Sequence, residues 1–263
     1  MDAAASFAVD RSRGIHWHDA PPVVVRPTGA DRVHLVHTAG GPLGGDRLRL
    51  DGTVGTGCAL TVASAGATVV QPGPHDETAT WTVRLDVAAG ACLSWAPQPT
   101  VVCADADFRA ALHATIADDG ALFVREVLVL GRSDETGGRH AGGVYVSVGG
   151  EPLLCHENLM DGADAALSGP AGSGGHRVHG MALAVGSAVR PVDERAGCTG
   201  AVSWAVLPLD GPGHLVLAVG ARVTEVAAVL DHLAAQTVSS TAPADNLIHA
   251  GQVTTAAGAG CGR

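Results

Sequence analysis

The sequence predicts a mainly β fold, in which stacked β-sheets are built from strand-turn-strand repeats and a few α-helices follow towards the C-terminus. Short runs rich in β-branched residues, separated by Gly, Asp or Pro, are typical of strands. Low aromatic content, 3% of residues, fits tight packing of small and branched side chains. The predicted strands span residues 31–38, 47–54, 60–70, 80–87, 93–102, 112–116, 123–130, 144–148 and 202–207.

A recurring motif supports the stacking. VGTGCAL ends at Leu60, VAAGACL at Leu93 and IADDGAL at Leu122, and LDGPGHLVL at 209–217 again places a glycine turn between two strands. Such repetition indicates successive strand pairs that bury their apolar faces against one another. A second interpretation, that any β-rich chain repeats its hairpins, stays open on sequence alone.

The later part of the chain has a different character, although we expect residues 1–263 to form a single domain. Glycine, serine and proline dominate residues 161–180, which predicts a long mobile loop. Apolar residues at helical spacing predict one amphipathic helix over 221–236. The segment 254–263 has little to pack and is predicted to be frayed.

Composition excludes several classes of function. A net charge of −10 argues against nucleic-acid or anionic-membrane partners, which need a basic surface. Neither a secretory signal nor an apolar run long enough to span a membrane is recognisable, so we expect a cytoplasmic protein. Six cysteines occur without a C-x-x-C pair, which gives no sign of a zinc knuckle or a thioredoxin-like site.

The glycine-rich stretch 40–60 invites a nucleotide-binding interpretation, which its residues do not support. A phosphate-binding loop needs a lysine, and all sixteen basic residues are arginine. A dinucleotide fingerprint at Gly52, Gly55 and Gly57 would need a helix where the pattern predicts strands. The segment 171–175 (AGSGG) lacks the first glycine of a nucleophile elbow.

Histidine spacing gives only incomplete metal sites. His34 and His37 are three apart in a strand and therefore point to opposite faces. His16 and His18 share a strand face, and His176 with His179 falls in the predicted loop, but two imidazoles are half a site. In the run Cys155-His156-Glu157, alternation puts Cys155 and Glu157 on one face and His156 on the other.

Two carboxylates are more informative. Asp46 follows two glycines, and Glu126 interrupts the apolar run FVREVLVL. A carboxylate in a buried strand is unfavourable unless it is paired or binds a ligand. Glu126 can therefore pair with Arg125, Arg132 or another arginine, or it can be functional. Asp46 and Glu126 can also be the carboxylate pair of a β-rich hydrolase, with nothing to fix their separation.

Six segments together resemble the urease accessory protein family UreD, also called UreH. They are GGPLGGDRLRLDGTVGTG, LTVASAGATVV, GACLSWAPQPTVVCADAD, LVLGRSDETGG, GEPLLCHENL and DNLIHAGQV, in the family's order and approximate spacing from about residue 14 to 253. The resemblance implies a non-enzymatic, mainly β scaffold that binds apo-urease, UreF and the GTPase UreG. It further implies that nickel from UreG passes through an internal tunnel to urease, without a tightly bound cofactor. An interaction module with no metal role is the other alternative.

The resemblance also implies particular tunnel residues. Asp46 matches the aspartate of the family's GGD, Thr68 the hydroxyl of its G-A-[ST] segment, and Glu126 an acidic position before V-L-G-R. A carboxylate expected after EPLL falls on His156, or on Glu157 in a register shifted by one. Carboxylate and imidazole are workable nickel ligands. The family's lysine and aromatic after G-A-[ST] are replaced by valines, a family glutamate is replaced near 138–139, and the helix after DNLI is reduced.

Overall fold

The computed structural model of the protein describes residues 1–187, 189–190 and 195–237, with side chains described up to 234. Of the residues that the structure describes, more than half lie in strands and fewer than a tenth in helices. The strands are β1 (Asp2–Asp10), β2 (Gly14–His18), β3 (Val23–Gly29), β4 (Arg32–His37), β5 (Arg47–Val54), β6 (Ala59–Ser64), β7 (Thr68–Val70), β8 (Ala79–Val87), β9 (Cys92–Trp95), β10 (Thr100–Val102), β11 (Asp107–Ile116), β12 (Ala121–Leu130), β13 (Arg139–Val148), β14 (Glu151–Asp161), β15 (Val178–Val185), β16 (Ala196–Thr199), β17 (Val202–Pro208) and β18 (Gly213–Gly220). The helices are α1 (Ala165–Ser168) and α2 (Val223–Thr237).

Two sheets stack to form the molecule. Sheet A has seven strands in the order β14-β13-β11-β8-β5-β1-β2. Sheet B runs β16-β17-β18-β15-β12-β9-β6-β4-β3, and β10 attaches to β12 and to β7. The main apolar core lies between the sheets, and Leu50, Leu93 and Leu183 are fully buried in it. The predicted mainly β, stacked architecture is confirmed.

The recurring sequence motif marks the same position in successive turns of the stack. Each turn consists of one strand of sheet A followed by one strand of sheet B. In sheet B, Leu60 and Leu122 are the Cα partners of Leu93, each in a parallel pair of strands. In sheet A, Val87 pairs in parallel with Val54 and with Ile116. Each motif carries the chain from sheet A to sheet B, so these three repeats are not hairpins. The fourth segment differs, because β17 and β18 pair antiparallel as a hairpin.

Two predicted strands are each divided in the structure. Residues 60–70 form β6 and β7, and residues 93–102 form β9 and β10. Ser64 helps to form both corners, since its hydroxyl donates to the Gly66 carbonyl (2.9 Å) and accepts the Gln98 N–H (2.8 Å). Pro97 and Pro99 have no N–H to continue a ladder. The prediction of single continuous strands there was wrong for this local reason.

Helix α2 covers the outer face of sheet B, as its amphipathic pattern predicts. Val226 and Leu230 pack against β15 within a second apolar cluster. Gly180 permits this approach, because a Cβ at that position would lie 2.6 Å from Val226 Cγ1. Arg125 of β12 donates to Asp231 of α2 at 2.7 Å, which fixes the helix to the sheet.

The predicted loop and tail have different outcomes. The segment 161–180 contains the end of β14, the helix α1 and the start of β15, so the connecting loop is 162–177. Its mobility stays a prediction. The tail 254–263 and the DNLI segment at 245–248 lie outside the described residues.

Neither helix is both long and apolar enough to cross a membrane, over the part of the chain that the structure describes.

Candidate functional site

An interruption in sheet B lies beside Glu126. The first residues of β12 pair with β9 as far as Val124, opposite Trp95. Pairing resumes with β10 only at Leu128, opposite Thr100. Residues 125–127 therefore have no strand partner on this side, because the corner between β9 and β10 turns away. On its other side β12 pairs continuously with β15.

A cavity of about 260 Å³ lies at this interruption, lined by strands of both sheets. Its size allows several water molecules where polar groups are present to bind them. Most of the lining is apolar. The polar and titratable side chains on the lining are those of His37, Ser64, Thr68, Gln98, Thr100, Glu126, His140, His156, Asn158 and His179.

Glu126 is the only acidic side chain among these lining residues. Burial raises the pKa of its carboxyl, and the hydrogen bond from Trp95 opposes this only in part. That bond joins Trp95 Nε1 to the carboxylate over 3.3 Å. Arg125 binds Asp231 and Arg132 binds Glu135, so the interpretation of Glu126 as their ion-pair partner was wrong. Among the described residues, Glu126 has no salt bridge to any arginine.

Three cavity histidines are held in their neutral form. Burial lowers the pKa of His37 and of His179, where the charge of His176 adds to it. Burial, together with repulsion from His179 when that ring is protonated, lowers the pKa of His140 to about 4. A buried ring nitrogen of each imidazole has no hydrogen-bond partner. Neutral imidazoles with free lone pairs are good ligands for borderline cations such as nickel.

The wall from sheet A presents a row of polar side chains. On β14, His156 and Asn158 face the cavity, and on β13 His140 does so. Val144 pairs with His156, and Gly142 with Asn158. The predicted alternation is confirmed, because Cys155 and Glu157 are exposed on the opposite face.

These ligand types are spread along the cavity. Within the described ranges, no three His, Cys, Asp or Glu side chains are close enough to form a preformed metal site. Separate ligands along a polar path offset part of the desolvation of an ion without trapping it. The arrangement therefore suits a cation in passage better than a closed structural site.

Comparison with known proteins decides the family. The profile of the UreD urease accessory protein family matches residues 11–247. The chain belongs to the UreD family. The UreD of Frankia alni is 39% identical over 204 residues, covering 71% of this chain and 67% of that protein. The UreD of Parafrankia sp. EAN1pec is 36% identical, covering 82% and 80%. The UreD of Streptomyces coelicolor is 36% identical, covering 80% and 84%.

Membership of the UreD family assigns the chain a part in urease maturation. The relatives are named as accessory proteins and not as enzymes. Of the five residues that the UreD resemblance singles out, the cavity brings together Thr68, Glu126 and His156.

Asp46 and Glu157 lie elsewhere. Asp46 accepts from the Met1 amino group (2.8 Å) and from the Leu43 N–H (2.9 Å). Burial opposes the ionisation of Asp46, but these bonds outweigh it and hold the carboxyl pKa below its usual value. Glu157 accepts from the Tyr145 hydroxyl on the outer face of sheet A. The nickel roles predicted for both stay predictions.

The separate positions of Asp46 and Glu126 argue against the hydrolase alternative. An acid and base pair needs both carboxylates in one site, and only Glu126 lines the cavity. The geometry therefore gives the hydrolase interpretation no support.

Other histidines have simpler surroundings. His34 bonds to Thr28 on the face of β4 opposite to His37, as alternation predicts. His16 lies 3.8 Å from Asp10 at the edge of sheet A. The assignment of His179 to a loop was wrong, since it belongs to β15 and faces the cavity.

Sequence reasoning missed His140, Asn158 and the cavity role of His37. The alternation of β13 carried a usable signal for the first, because His140, Val144 and Val146 share one buried face. Residues on one strand cannot show what faces them from another sheet. The convergence of β4, β13, β14 and β15 is a product of tertiary structure alone.

Proposed function

We propose that this protein is a non-enzymatic maturation factor that carries nickel from the GTPase UreG towards the active site of apo-urease, in a cytoplasmic complex with UreF. The observation that carries the proposal is the cavity that brings Thr68, Glu126 and His156 together between the two sheets. Family membership supports the urease context. Nickel is cargo in this account, and no tightly bound cofactor is required.

The chemistry of the lining supports passage rather than storage. Glu126 supplies a carboxylate that becomes easier to ionise when a cation approaches, because the positive charge offsets the burial that raises its pKa. His156 faces the same space from the opposite sheet and supplies an imidazole. Thr68 and Thr100, neighbours in register on β7 and β10, supply hydroxyl oxygens for the remaining hydration shell.

The test is nickel- and GTP-dependent activation of purified apo-urease with UreF and UreG, with and without this chain. Activation that requires the chain supports the proposal. Equal activation without it, while every partner is shown to be active, would refute the maturation role.

A pure interaction module would behave differently. Its function would be sensitive only to changes that prevent assembly, so complex formation must be measured beside activation. Retained assembly with lost activation, after a substitution inside the cavity, separates the conduit from the module.

A further inference from the structure

The outer face of sheet A, which points away from the cavity, carries arginines that have no ion-pair partner. Arg47, Arg84 and Arg109 lie on the adjacent strands β5, β8 and β11, and all three are exposed. Among the residues that the structure describes, none of these three guanidinium groups forms a salt bridge. Asp51 is in register with Arg84, but its two carboxylate oxygens already bind Arg49, at 2.9 and 2.8 Å. Positive charge on this face is therefore available to a partner, although the chain carries a net charge of −10.

An exposed apolar side chain lies beside these arginines. Arg109 is the Cα partner of Ala141 on β13, and Ala141 is the Cα partner of Leu159 on β14. Leu159 is 70% exposed, which is the largest value for a large apolar side chain in the described part of the chain. Because Ala141 is small, one contacting surface can cover both Arg109 and Leu159.

Tyr145 is held in a fixed position on the same face. Its ring stacks on His113 with ring centroids 4.8 Å apart, and His113 is the Cα partner of Arg84. The Tyr145 hydroxyl donates to Glu157. The ring also lies close over Gly143, because a Cβ built there would be 2.7 Å from Tyr145 Cε2. A side chain that is already fixed loses little conformational entropy on binding, which favours its use in an interface.

The side chains on this face favour a protein partner. Arginine and tyrosine are enriched at protein interfaces and supply much of the binding energy there. A guanidinium group can donate two parallel hydrogen bonds to a carboxylate, so unpaired arginines complement an acidic surface. A uniformly charged polyanion would also meet Glu157 and Asp161, which flank Leu159 on β14. A protein, by contrast, can place carboxylates opposite the arginines and an apolar residue opposite Leu159.

We propose that Arg47, Arg84, Arg109, Tyr145 and Leu159 form a docking surface for another protein of the urease maturation complex, which contacts them through carboxylates and an apolar side chain. We call these five residues the outer docking surface. The choice of partner rests on the function proposed above, whereas the position of the surface rests on the exposed side chains of sheet A. Because the surface lies on the opposite face of sheet A from the cavity, it attaches the chain to its partner without taking part in nickel passage.

Binding of the full chain to purified apo-urease, UreF and UreG, each immobilised separately, tests this proposal. A chain with both Arg84→Glu and Arg109→Glu should lose at least about ten-fold in affinity for one of these proteins, because like charges then face each other. The wild-type affinity for that protein should fall as NaCl is raised, and the fall should be shallower in the altered chain. Both positions are exposed, and circular dichroism checks that the fold is retained.

Two further variants serve as controls. Arg13→Glu with Arg195→Glu changes the net charge equally, at exposed arginines outside the outer docking surface, and should keep wild-type affinity. Leu159→Ala leaves the charge unchanged, and it should weaken binding to the same protein without altering the dependence on NaCl. A single-stranded DNA oligonucleotide is the competing polyanion and should bind more weakly than that protein.

Three results would overturn the outer docking surface. The first is wild-type affinity for all three proteins in the Arg84 and Arg109 double variant. The second is an equal loss of affinity in the Arg13 and Arg195 control, because net charge alone would then explain the effect. The third is DNA binding that is tighter than any protein binding and is lost in the double variant, which would assign the face to nucleic acid.

The conduit can fail separately from the outer docking surface. A chain altered at both Glu126 and His156 should keep wild-type affinity for every partner, so full activation by that chain overturns the conduit alone. The Arg84 and Arg109 double variant should regain urease activation when its concentration is raised far enough to restore binding, because its cavity is unchanged. Activation that stays low at saturation would contradict a role limited to docking.

Discussion

Trp95 donates its indole N–H to Glu126 over 3.3 Å, at the point where β9 and β12 separate. Trp95 is the last residue of β9, opposite Val124, and it is 1% exposed. The hydrogen bond between Trp95 and Glu126 thus connects β9 and β12 where the backbone pairing of these strands ends. A bond in this position keeps a buried carboxylate at the edge of an internal cavity, where a passing cation can reach it.

Replacing Glu126 with Gln should stabilise the fold and weaken urease activation. The raised pKa means that the folded chain holds its proton more tightly than the unfolded chain. The contribution of Glu126 to stability is therefore full below about pH 4.5 and is lost as the pH rises through the folded pKa. At pH 7.5 we expect Glu126→Gln to raise the free energy of urea unfolding by about 1–3 kcal/mol. A free energy of unfolding for Glu126→Gln at or below that of the wild-type chain would contradict this account.

Trp95→Phe should destabilise the protein because it removes the hydrogen bond to Glu126. Without the indole N–H, the buried Glu126 carboxyl loses the hydrogen bond that Trp95 donates to it, and an unsatisfied polar group of this kind is unfavourable by about 1–3 kcal/mol. A double-mutant cycle with Glu126→Gln measures the coupling. Strictly additive effects would mean that the bond contributes nothing.

Stability should fall in mild acid because of His140. Its folded pKa of about 4 lies below the ordinary value of 6.5. Between these values the unfolded chain binds a proton that the folded chain does not, so the free energy of unfolding decreases as the pH falls, by about 3 kcal/mol for this group. The partly buried His37 and His179 and the buried His214 act in the same direction. Urea unfolding at several pH values should show a shallower fall in His140→Phe than in wild type.

Removing one partner of the ion pair that holds α2 to sheet B should be strongly destabilising. Burial raises the pKa of Asp231, and Arg125 offsets this only in part. Arg125→Met leaves that carboxylate uncompensated and should cost about 3–5 kcal/mol in thermal or urea unfolding. Arg222→Met is the control, because its contact with Glu225 is 3.7 Å long and exposed, and it should change stability by less than about 1 kcal/mol. Similar losses in both variants would refute the assigned role.

The leucines of the repeat motif show which part of the fold could be predicted from the sequence. Leu60, Leu93 and Leu122 recur with the same local pattern, so the stacked β architecture could be predicted from the chain alone. Local alternation likewise placed His156 and Glu157 on opposite faces of their strand, which the structure confirms. These features depend on neighbours in sequence or on a fixed repeat.

The cavity could not be predicted in the same way. Corners at Ser64 and Pro97 divide two apparent strands, and one of the hydrogen bonds at these corners joins Ser64 to Gln98, 34 positions further along the chain. The family pattern identified Glu126 and His156 but gave no sign of His140 or Asn158. His140 and Asn158 become part of the cavity lining only because β13 and β14 lie opposite β12 and β15 in the folded protein.

The most direct test of the central claim compares two altered chains in reconstituted urease activation with UreF and UreG. One carries Glu126→Gln and His156→Phe inside the cavity, and the other carries Glu151→Gln at the exposed start of β14. Assembly of each with UreF, UreG and apo-urease is measured in parallel. The account predicts normal assembly in both, with nickel-dependent activation reduced at least about ten-fold in the cavity variant alone. Wild-type activation by a fully assembled cavity variant would contradict passage of nickel through this cavity.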